Sequence, residues 1–361
     1  MRSPAAVAND SRQVAPAALS PRRSLRDFVR SSGLRSLVLG TSKDSNAKIT
    51  VLLVSPEDSR PVLAVKAPTT NAAARAVEAE ARLLIDLAKL QLGQILDTIP
   101  EVVEVVDFNG RPAAVTTALQ GTPMTTSYLR WRHTAGSSRV TGDFAAVADW
   151  LAELQRQTAT HVAPVDMDGE VTSRLRSRFT DDQELGADLD RLAELHEKLR
   201  QQSVPRTTVH GDLWSGNILV AGGRVTGVVD WECGRVSGEP VRDLVRFALM
   251  YALYLDRRTK PGRRVAGHAG LRAGEWGVGV EYALDGTGWF PELFRGFLSK
   301  GLARLGASPQ SWRDVAVAGI AEVAALTDEQ EFARRHLELF RRVSGTRSQE
   351  RPEQAGPSSL G

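Results

Sequence analysis

The stretch that decides the fold is HGDLWSGN at residues 210–217, followed by ILV, a Gly-Gly pair and the run VTGVVDW. Its two glycines interrupt both helix and strand, so Asp212 and Asn217 are expected on a loop. The Gly-Gly pair predicts a tight hairpin, in which the start of one strand lies opposite the end of its partner. We therefore expect Asn217 and Asp230 to meet at one end of this hairpin, with Asp212 nearby.

Two carboxylates and one amide oxygen in a small space suit Mg²⁺, which prefers a few carboxylates together with phosphate oxygens and water. The remaining carboxylate is free to orient or deprotonate a hydroxyl group. Taken singly, Asp212 would more often be a turn residue, Asn217 an Asx turn and Asp230 a strand end. Their combination at this spacing favours a chemical site.

A second pattern lies upstream, where the runs LVLG, KITVLLV and VLAVK are separated by turn-forming segments. This pattern predicts a three-stranded meander, followed by a helix from about residue 71 to 92 and two further strands. Lys66 closes the third run. Glu80 lies on the apolar stripe of the helix, between Val77 and Leu84, and so faces inward. An inward carboxylate needs a cation, and Lys66 on the adjacent strand is the available one.

The pattern H-G-D-x-x-x-x-N, followed by a strand, a glycine turn and a strand ending in Asp-Trp, resembles the aminoglycoside phosphotransferase and choline kinase family. That family shares the protein-kinase-like fold. The resemblance implies that Asp212 is the catalytic base and that Asn217 and Asp230 are magnesium ligands. It also implies that the Lys66–Glu80 pair positions the α- and β-phosphates of a nucleotide.

The resemblance also implies a nucleotide-binding role for two segments of the small lobe. Ser45 and Asn46 stand in the turn expected to cover the phosphates, although this turn has a single glycine instead of G-x-G-x-x-G. Residues 115–119, which include Thr117 and Leu119, correspond to the hinge whose backbone groups hold adenine. This hinge lacks the acidic residue that many relatives have there.

Structural support for the catalytic loop is implied for His210, which shapes the loop, and for Asp243, which begins a helix and braces it. The activity implied is transfer of the γ-phosphoryl group of ATP or GTP to a hydroxyl of a small molecule such as a sugar, an aminoglycoside or an amino alcohol, with Mg²⁺. Two alternatives remain at this point: a catalytically silent kinase-like module that binds a nucleotide or a partner, and a fructosamine-type kinase.

The predicted fold class is α+β, a two-lobed protein-kinase-like fold with a small β-rich N-lobe and a larger helical C-lobe. Amphipathic patterns in the C-lobe predict helices at 143–158, 183–201, 241–256, 291–305, 311–326 and 328–343. The predicted divisions are a disordered tail at 1–24, the N-lobe at 25–118, a hinge at 119–123, the C-lobe at 124–343 and a disordered tail at 344–361.

Composition narrows the class of protein further. The 361 residues are 42% hydrophobic and 25% charged, which excludes disorder throughout. A net charge of +3 gives no reason to expect a nucleic-acid partner. The single cysteine, Cys233, cannot form an internal disulfide and suits a reducing compartment. With no apolar run long enough for a signal peptide or a membrane span, we expect a cytoplasmic enzyme.

The stretch 257–272 carries six basic side chains and no Asp or Glu, and Trp276, Tyr282 and Trp289 follow it. If these residues line the acceptor pocket, the acceptor is neutral or anionic, such as a sugar phosphate or a lipid-linked glycan at a membrane surface. The alternative is a solvated insertion whose aromatic side chains pack on the lobe.

Overall fold

A five-stranded antiparallel sheet forms most of the N-terminal lobe in this computed structural model, which describes residues 23–41 and 47–345. The elements of this lobe are α1 (Leu25–Ser32), β1 (Arg35–Thr41), β2 (Lys48–Val54), β3 (Pro61–Pro68), α2 (Asn71–Ala88), a 3-10 helix (Gly93–Thr98), β4 (Val102–Phe108) and β5 (Arg111–Thr117). The strand order is β1-β2-β3-β5-β4. The predicted meander, helix and strand pair are therefore confirmed, although the helix ends four residues early, at Ala88.

The two faces of this sheet have different neighbours because side chains alternate along each strand. On one face, Val65 and Val115 pack with Phe28 of α1. On the other face, Lys66 lies opposite Ala114, which packs against α2. A lysine at the end of an apolar strand is thus directed toward α2, which carries Glu80.

Helices dominate the C-terminal lobe, as predicted. They are α3 (Met124–Tyr128), α4 (Ser137–Thr158), α5 (Val171–Arg178), α6 (Leu185–Arg200), α7 (Val241–Leu253), α8 (Val278–Asp285), α9 (Trp289–Leu305), α10 (Trp312–Leu326) and α11 (Gln330–Gly345). Helix α7 is buried along nearly its whole length, and its Phe247 and Tyr251 pack against Phe144 of α4. The sequence patterns did not indicate α1, α3, α5 or α8.

Short strands connect these helices and form the surroundings of the HGDLWSGN loop. They are β6 (Thr122–Pro123), β7 (Val162–Pro164), β8 (Ser203–Pro205), β9 (Thr207–Val209), β10 (Ile218–Ala221), β11 (Arg224–Val228) and β12 (Arg235–Gly238). Strands β10 and β11 are the predicted hairpin, with Gly222 and Gly223 both at positive φ in its turn. Strand β9 ends directly before the loop and pairs with β12.

The predicted terminal tails lie mostly outside the described residues. At their inner ends, Ser24 caps α1 and α11 continues to Gly345. Within 23–41 and 47–345, no helix is both long enough and apolar enough to cross a bilayer.

Candidate active site

The loop between β9 and β10 brings Asp212 and Asn217 into contact. The Asn217 side-chain amide donates to the backbone oxygen of Asp212 at 3.0 Å and to its Oδ2 at 3.3 Å. Val229 donates its backbone N–H to the Asn217 carbonyl at 2.9 Å, so Asp230 follows directly at the same end of the hairpin. The loop depends on Gly211, whose φ is +80° and where a Cβ would lie 2.3 Å from the Cys233 carbonyl oxygen.

His210 and Asp243 hold this loop from beneath. Asp243 of α7 accepts the backbone N–H groups of His210 at 2.7 Å and Gly211 at 2.8 Å. Burial raises the pKa of Asp243, while these two N–H groups and the nearby His210 favour its ionised form. The His210 ring accepts from the Asp212 N–H at Nδ1, 3.2 Å away, which leaves Nε2 to donate to the Val229 carbonyl at 2.9 Å. These hydrogen bonds fix the position of the backbone at Asp212, from which its side chain extends.

A second group of charges joins the two lobes. The Lys66 ammonium lies 2.6 and 2.7 Å from the two carboxylate oxygens of Glu80 and 2.7 Å from Asp230 Oδ1. Glu80 Oε1 also accepts the backbone N–H of Trp231 at 2.9 Å. Burial lowers the pKa of Lys66, but the neighbouring carboxylates Glu80 and Asp230 outweigh burial and raise it well above its usual value.

Asp230 is in the left-handed region at φ 71°, which turns its carboxylate toward the sheet. Burial raises the pKa of Asp230, but the ammonium groups of Lys66 and Lys48 outweigh burial and hold it well below the usual range. The carboxylate is therefore ionised at neutral pH.

Sequence reasoning missed two basic residues at this site. Lys48 lies 3.5 Å from Asp230 Oδ1 and also forms an ion pair with Glu232. The strand register could have indicated Lys48. Thr50 of β2 lies opposite Lys66, and Lys48, two residues before Thr50, lies on the same face of β2 as Thr50. The Arg246 guanidinium reaches Asp212 Oδ1 with Nε at 2.9 Å and Nη2 at 2.6 Å. Helical spacing could have indicated Arg246, since it lies one turn after Asp243 and therefore on the same side of the helix.

Besides Lys66 and Glu80, four residues are predicted to bind the nucleotide base and phosphates, and two of these are described by the structure while two are not. Ser45 and Asn46 lie outside the described residues. Thr117 exchanges hydrogen bonds with Glu101, both at 2.9 Å. The backbone N–H of Leu119 has no hydrogen-bond partner among the described residues, and the Leu119 side chain packs over Gly227.

The oxygen donors here fit a magnesium ion. Oδ1 of Asp230 is taken by lysine, but Oδ2 makes no hydrogen bond within the part of the chain that the structure describes. Because the Asn217 amide nitrogen points to Asp212, its side-chain oxygen points away from Asp212. Hard oxygen donors of this kind, supplemented by phosphate oxygens and water, are the usual protein contribution to a Mg²⁺ site.

Asp212 opens onto a cleft of about 1120 Å³, whose lining contains eight carboxylates and five arginines. Arg246, Arg242 and Arg206 in this lining are ion-paired with carboxylates. Among the described residues that line this cleft there is none from the basic stretch 257–272. Of the aromatic residues after it, Tyr282 of α8 is buried at 6% exposure, whereas Trp276, before α8, and Trp289, at the start of α9, are half-buried against the core.

Comparison with known proteins gives a consistent fold. The model of a phosphotransferase enzyme family matches residues 45–279. No curated protein matches the sequence significantly. Among solved structures, aminoglycoside phosphotransferase APH(4)-Ia is 13% identical, with 90% of this chain and 98% of that chain covered and a TM-score of 0.54. The GDP complex of aminoglycoside 2'-phosphotransferase-IIIa is 15% identical, with 89% and 95% covered and a TM-score of 0.51.

Proposed function

This chain belongs to the phosphotransferase enzyme family, and we propose that it transfers the γ-phosphoryl group of ATP or GTP to a hydroxyl group of a small molecule. The observation that carries the proposal is the convergence of Asp212, Asn217 and Asp230 at one end of the β10–β11 hairpin, facing Lys66 of the N-lobe. Nucleotide use is further supported by the GDP bound to aminoglycoside 2'-phosphotransferase-IIIa.

In this proposal Asp212 receives the acceptor hydroxyl. The hydroxyl oxygen forms a bond to the γ-phosphorus, the bond from that phosphorus to the β,γ-bridging oxygen breaks, and the hydroxyl proton passes to the Asp212 carboxylate. Asn217 and Arg246 each hold one oxygen of this carboxylate, which limits its rotation. Phosphoryl transfer depends mainly on positioning and electrostatic stabilisation, and this bracing supplies the positioning.

Lys66, Asn217 and Asp230 serve the nucleotide side of the reaction. The ammonium of Lys66, oriented by Glu80, lies where it would pair with nucleotide phosphates. Asn217 and Asp230 would hold Mg²⁺, which neutralises charge on the phosphates when bound. Each group acts from a rigid element, since Lys66 is on β3 and Asn217 directly precedes β10.

The charges that line the cleft indicate the charge of the acceptor. Its excess of carboxylates over arginines lowers the cost of docking a cation, so the proposed acceptor is a hydroxylated molecule that is positively charged or neutral. Consumption of ATP and GTP should be screened over aminoglycosides, amino alcohols, sugars and nucleosides. If the wild-type protein transfers phosphate to none of these hydroxylated compounds, the proposal fails.

Asp212→Asn should lower turnover on the accepted compound by about a hundredfold or more, because the proton acceptor is lost. Nucleotide affinity should stay nearly unchanged, since Asp212 lies on the acceptor side. Asp181→Asn, at an exposed position outside the cleft, is the matched control and should leave turnover intact. Normal turnover in pure Asp212→Asn would contradict the assignment of the base.

Asp230→Ala should abolish transfer and weaken magnesium-dependent nucleotide binding, measured by calorimetry with and without Mg²⁺. The metal dependence is the informative readout, since a merely structural role would weaken both titrations equally. If the variant retains wild-type affinity for the magnesium nucleotide, Asp230 is not a ligand.

A further inference from the structure

A second cavity, of about 380 Å³, lies between the segment after α3 and the segment after α7. It shares no lining residue with the Asp212 cleft. Helix α7 separates the two sites, since Asp243 braces the catalytic loop near its start and Tyr254 lines the second cavity just past its end. Arg246 of α7 lines the Asp212 cleft, and at 1.5 Å of rise per residue it is about 12 Å from Tyr254 along the helix.

Four arginines line this cavity: Arg130, Arg132, Arg257 and Arg258. Among the described residues that line the cavity there is no Asp or Glu. All four arginines are exposed and line the same cavity, and none of them has an ion pair with any residue that the structure describes. Unpaired like charges in one place repel each other, and an anion would remove that repulsion.

Two carboxylates, Asp143 and Asp256, lie near this cavity without lining it. Asp143 accepts hydrogen bonds from His133 Nε2 and from the Tyr251 hydroxyl, both at 2.7 Å. Asp256, which precedes Arg257 in the chain, is half-buried, and burial raises the pKa of its carboxyl group. Neither carboxylate lines the cavity, and within the described residues neither is ion-paired with its arginines.

Apart from Thr134 and Thr259, the other side chains that line the cavity are aromatic or apolar. Tyr128, Leu255 and Val265 are buried and contribute its inner surface. The Arg257 guanidinium lies 5.8 Å from the centre of the Tyr254 ring, which holds it by a cation–π contact. Trp131, also in the lining, is 78% exposed. A large exposed aromatic ring beside unpaired arginines suits a ligand with both an anionic and a flat or apolar part.

We propose that this cavity binds a small molecule carrying at least two phosphate groups, at a site separate from the Asp212 cleft. Guanidinium groups match phosphate oxygens through paired hydrogen bonds, and four of them supply enough donors for two such groups. A concave site of this volume is of the size that holds small molecules, whereas a polymer or a membrane would need a more extended surface. The proposal does not depend on the reaction proposed for Asp212.

Inorganic pyrophosphate is the probe, titrated by calorimetry into the nucleotide-free full chain without Mg²⁺. The double variant Arg130→Ser/Arg257→Ser should weaken binding by about tenfold or more, because it removes two guanidinium groups that donate charge-assisted hydrogen bonds to phosphate oxygens. The control Arg26→Ser/Arg176→Ser removes two exposed arginines that do not line the cavity, and it should bind as the wild type does. If the double variant does not fold, Arg258→Ser alone is used in its place.

Trp131 fluorescence locates the binding. Pyrophosphate should change the emission of the wild type, and Trp131→Phe should lose that change while calorimetric binding persists. Equal affinity in the wild type and the arginine variants would overturn the proposal. So would the absence of pyrophosphate binding, including the case where the same arginines bind anionic vesicles or single-stranded RNA instead.

Discussion

Replacing Glu80 by alanine should destabilise the protein by about 3 kcal/mol. Its carboxylate is only 5% exposed and accepts from two donors on different parts of the chain, the Lys66 ammonium and the Trp231 backbone N–H. Removing one partner of a buried ion pair costs roughly 3–5 kcal/mol, and an unsatisfied buried N–H costs roughly 1–3 kcal/mol. The total is reduced because Lys66 is 20% exposed and keeps Asp230 at 2.7 Å.

Glu80→Gln separates the two contributions. Glutamine keeps an oxygen that can accept the Trp231 N–H but removes the charge that faces Lys66, so it should cost about half as much as alanine. Glu197→Gln, which removes an exposed carboxylate on α6, is the control and should change stability by less than about 0.5 kcal/mol. Urea unfolding followed by circular dichroism measures all three variants. A loss below about 1 kcal/mol in Glu80→Ala would refute the role of Glu80 as the buried link between the lobes.

Two further changes test the loop and the C-terminal helix. Gly211→Ala should lower turnover by at least about tenfold, because the new Cβ would lie 2.3 Å from the Cys233 carbonyl oxygen. The control is Gly142→Ala on α4, where a Cβ has open space, and it should leave turnover unchanged. Burial lowers the pKa of His336 from 6.5 to about 3, so the unfolded chain binds the proton more tightly. Through His336 the free energy of unfolding is therefore at its full value above pH 6.5 and decreases as the pH falls toward 3. In urea unfolding between about pH 7 and 4, the free energy of unfolding of His336→Leu should decrease less with falling pH than that of the wild type.

Local patterns were sufficient to predict much of the fold. Alternation in β3 and the apolar stripe of α2 each constrain one side chain, and together they predict the contact between Lys66 and Glu80. The Gly-Gly turn likewise sets the register of the hairpin, which brings Asn217 beside Val229 and Asp230. In both cases a short connection leaves few ways to arrange the two elements.

Contacts between distant elements could not be predicted in this way. Lys48 and Glu232 are 184 residues apart, and their meeting depends on how the N-lobe rests on the segment after Asp230. Arg246 was identifiable as a neighbour of Asp243 on α7, but its reach to Asp212 depends on the path of the loop above that helix. The place of the basic stretch 257–272 could not be predicted for the same reason, since sequence order alone does not tell which side of α7 a following segment covers.

The two cavities of the C-terminal lobe are lined by different charges, and this difference supports both proposals. Carboxylates outnumber arginines in the Asp212 cleft, whereas arginines line the second cavity. Arginines in the Asp212 cleft are mostly neutralised by carboxylates, so a positively charged acceptor meets little repulsion there. Within 23–41 and 47–345, the arginines of the second cavity have no such carboxylate partners, so an anionic ligand is attracted there and repelled in the cleft. Because α7 lies between them, the opposite charge preferences of the two sites need not interfere. An acceptor and a phosphorylated ligand could therefore occupy the lobe together, each at the site whose charge it complements.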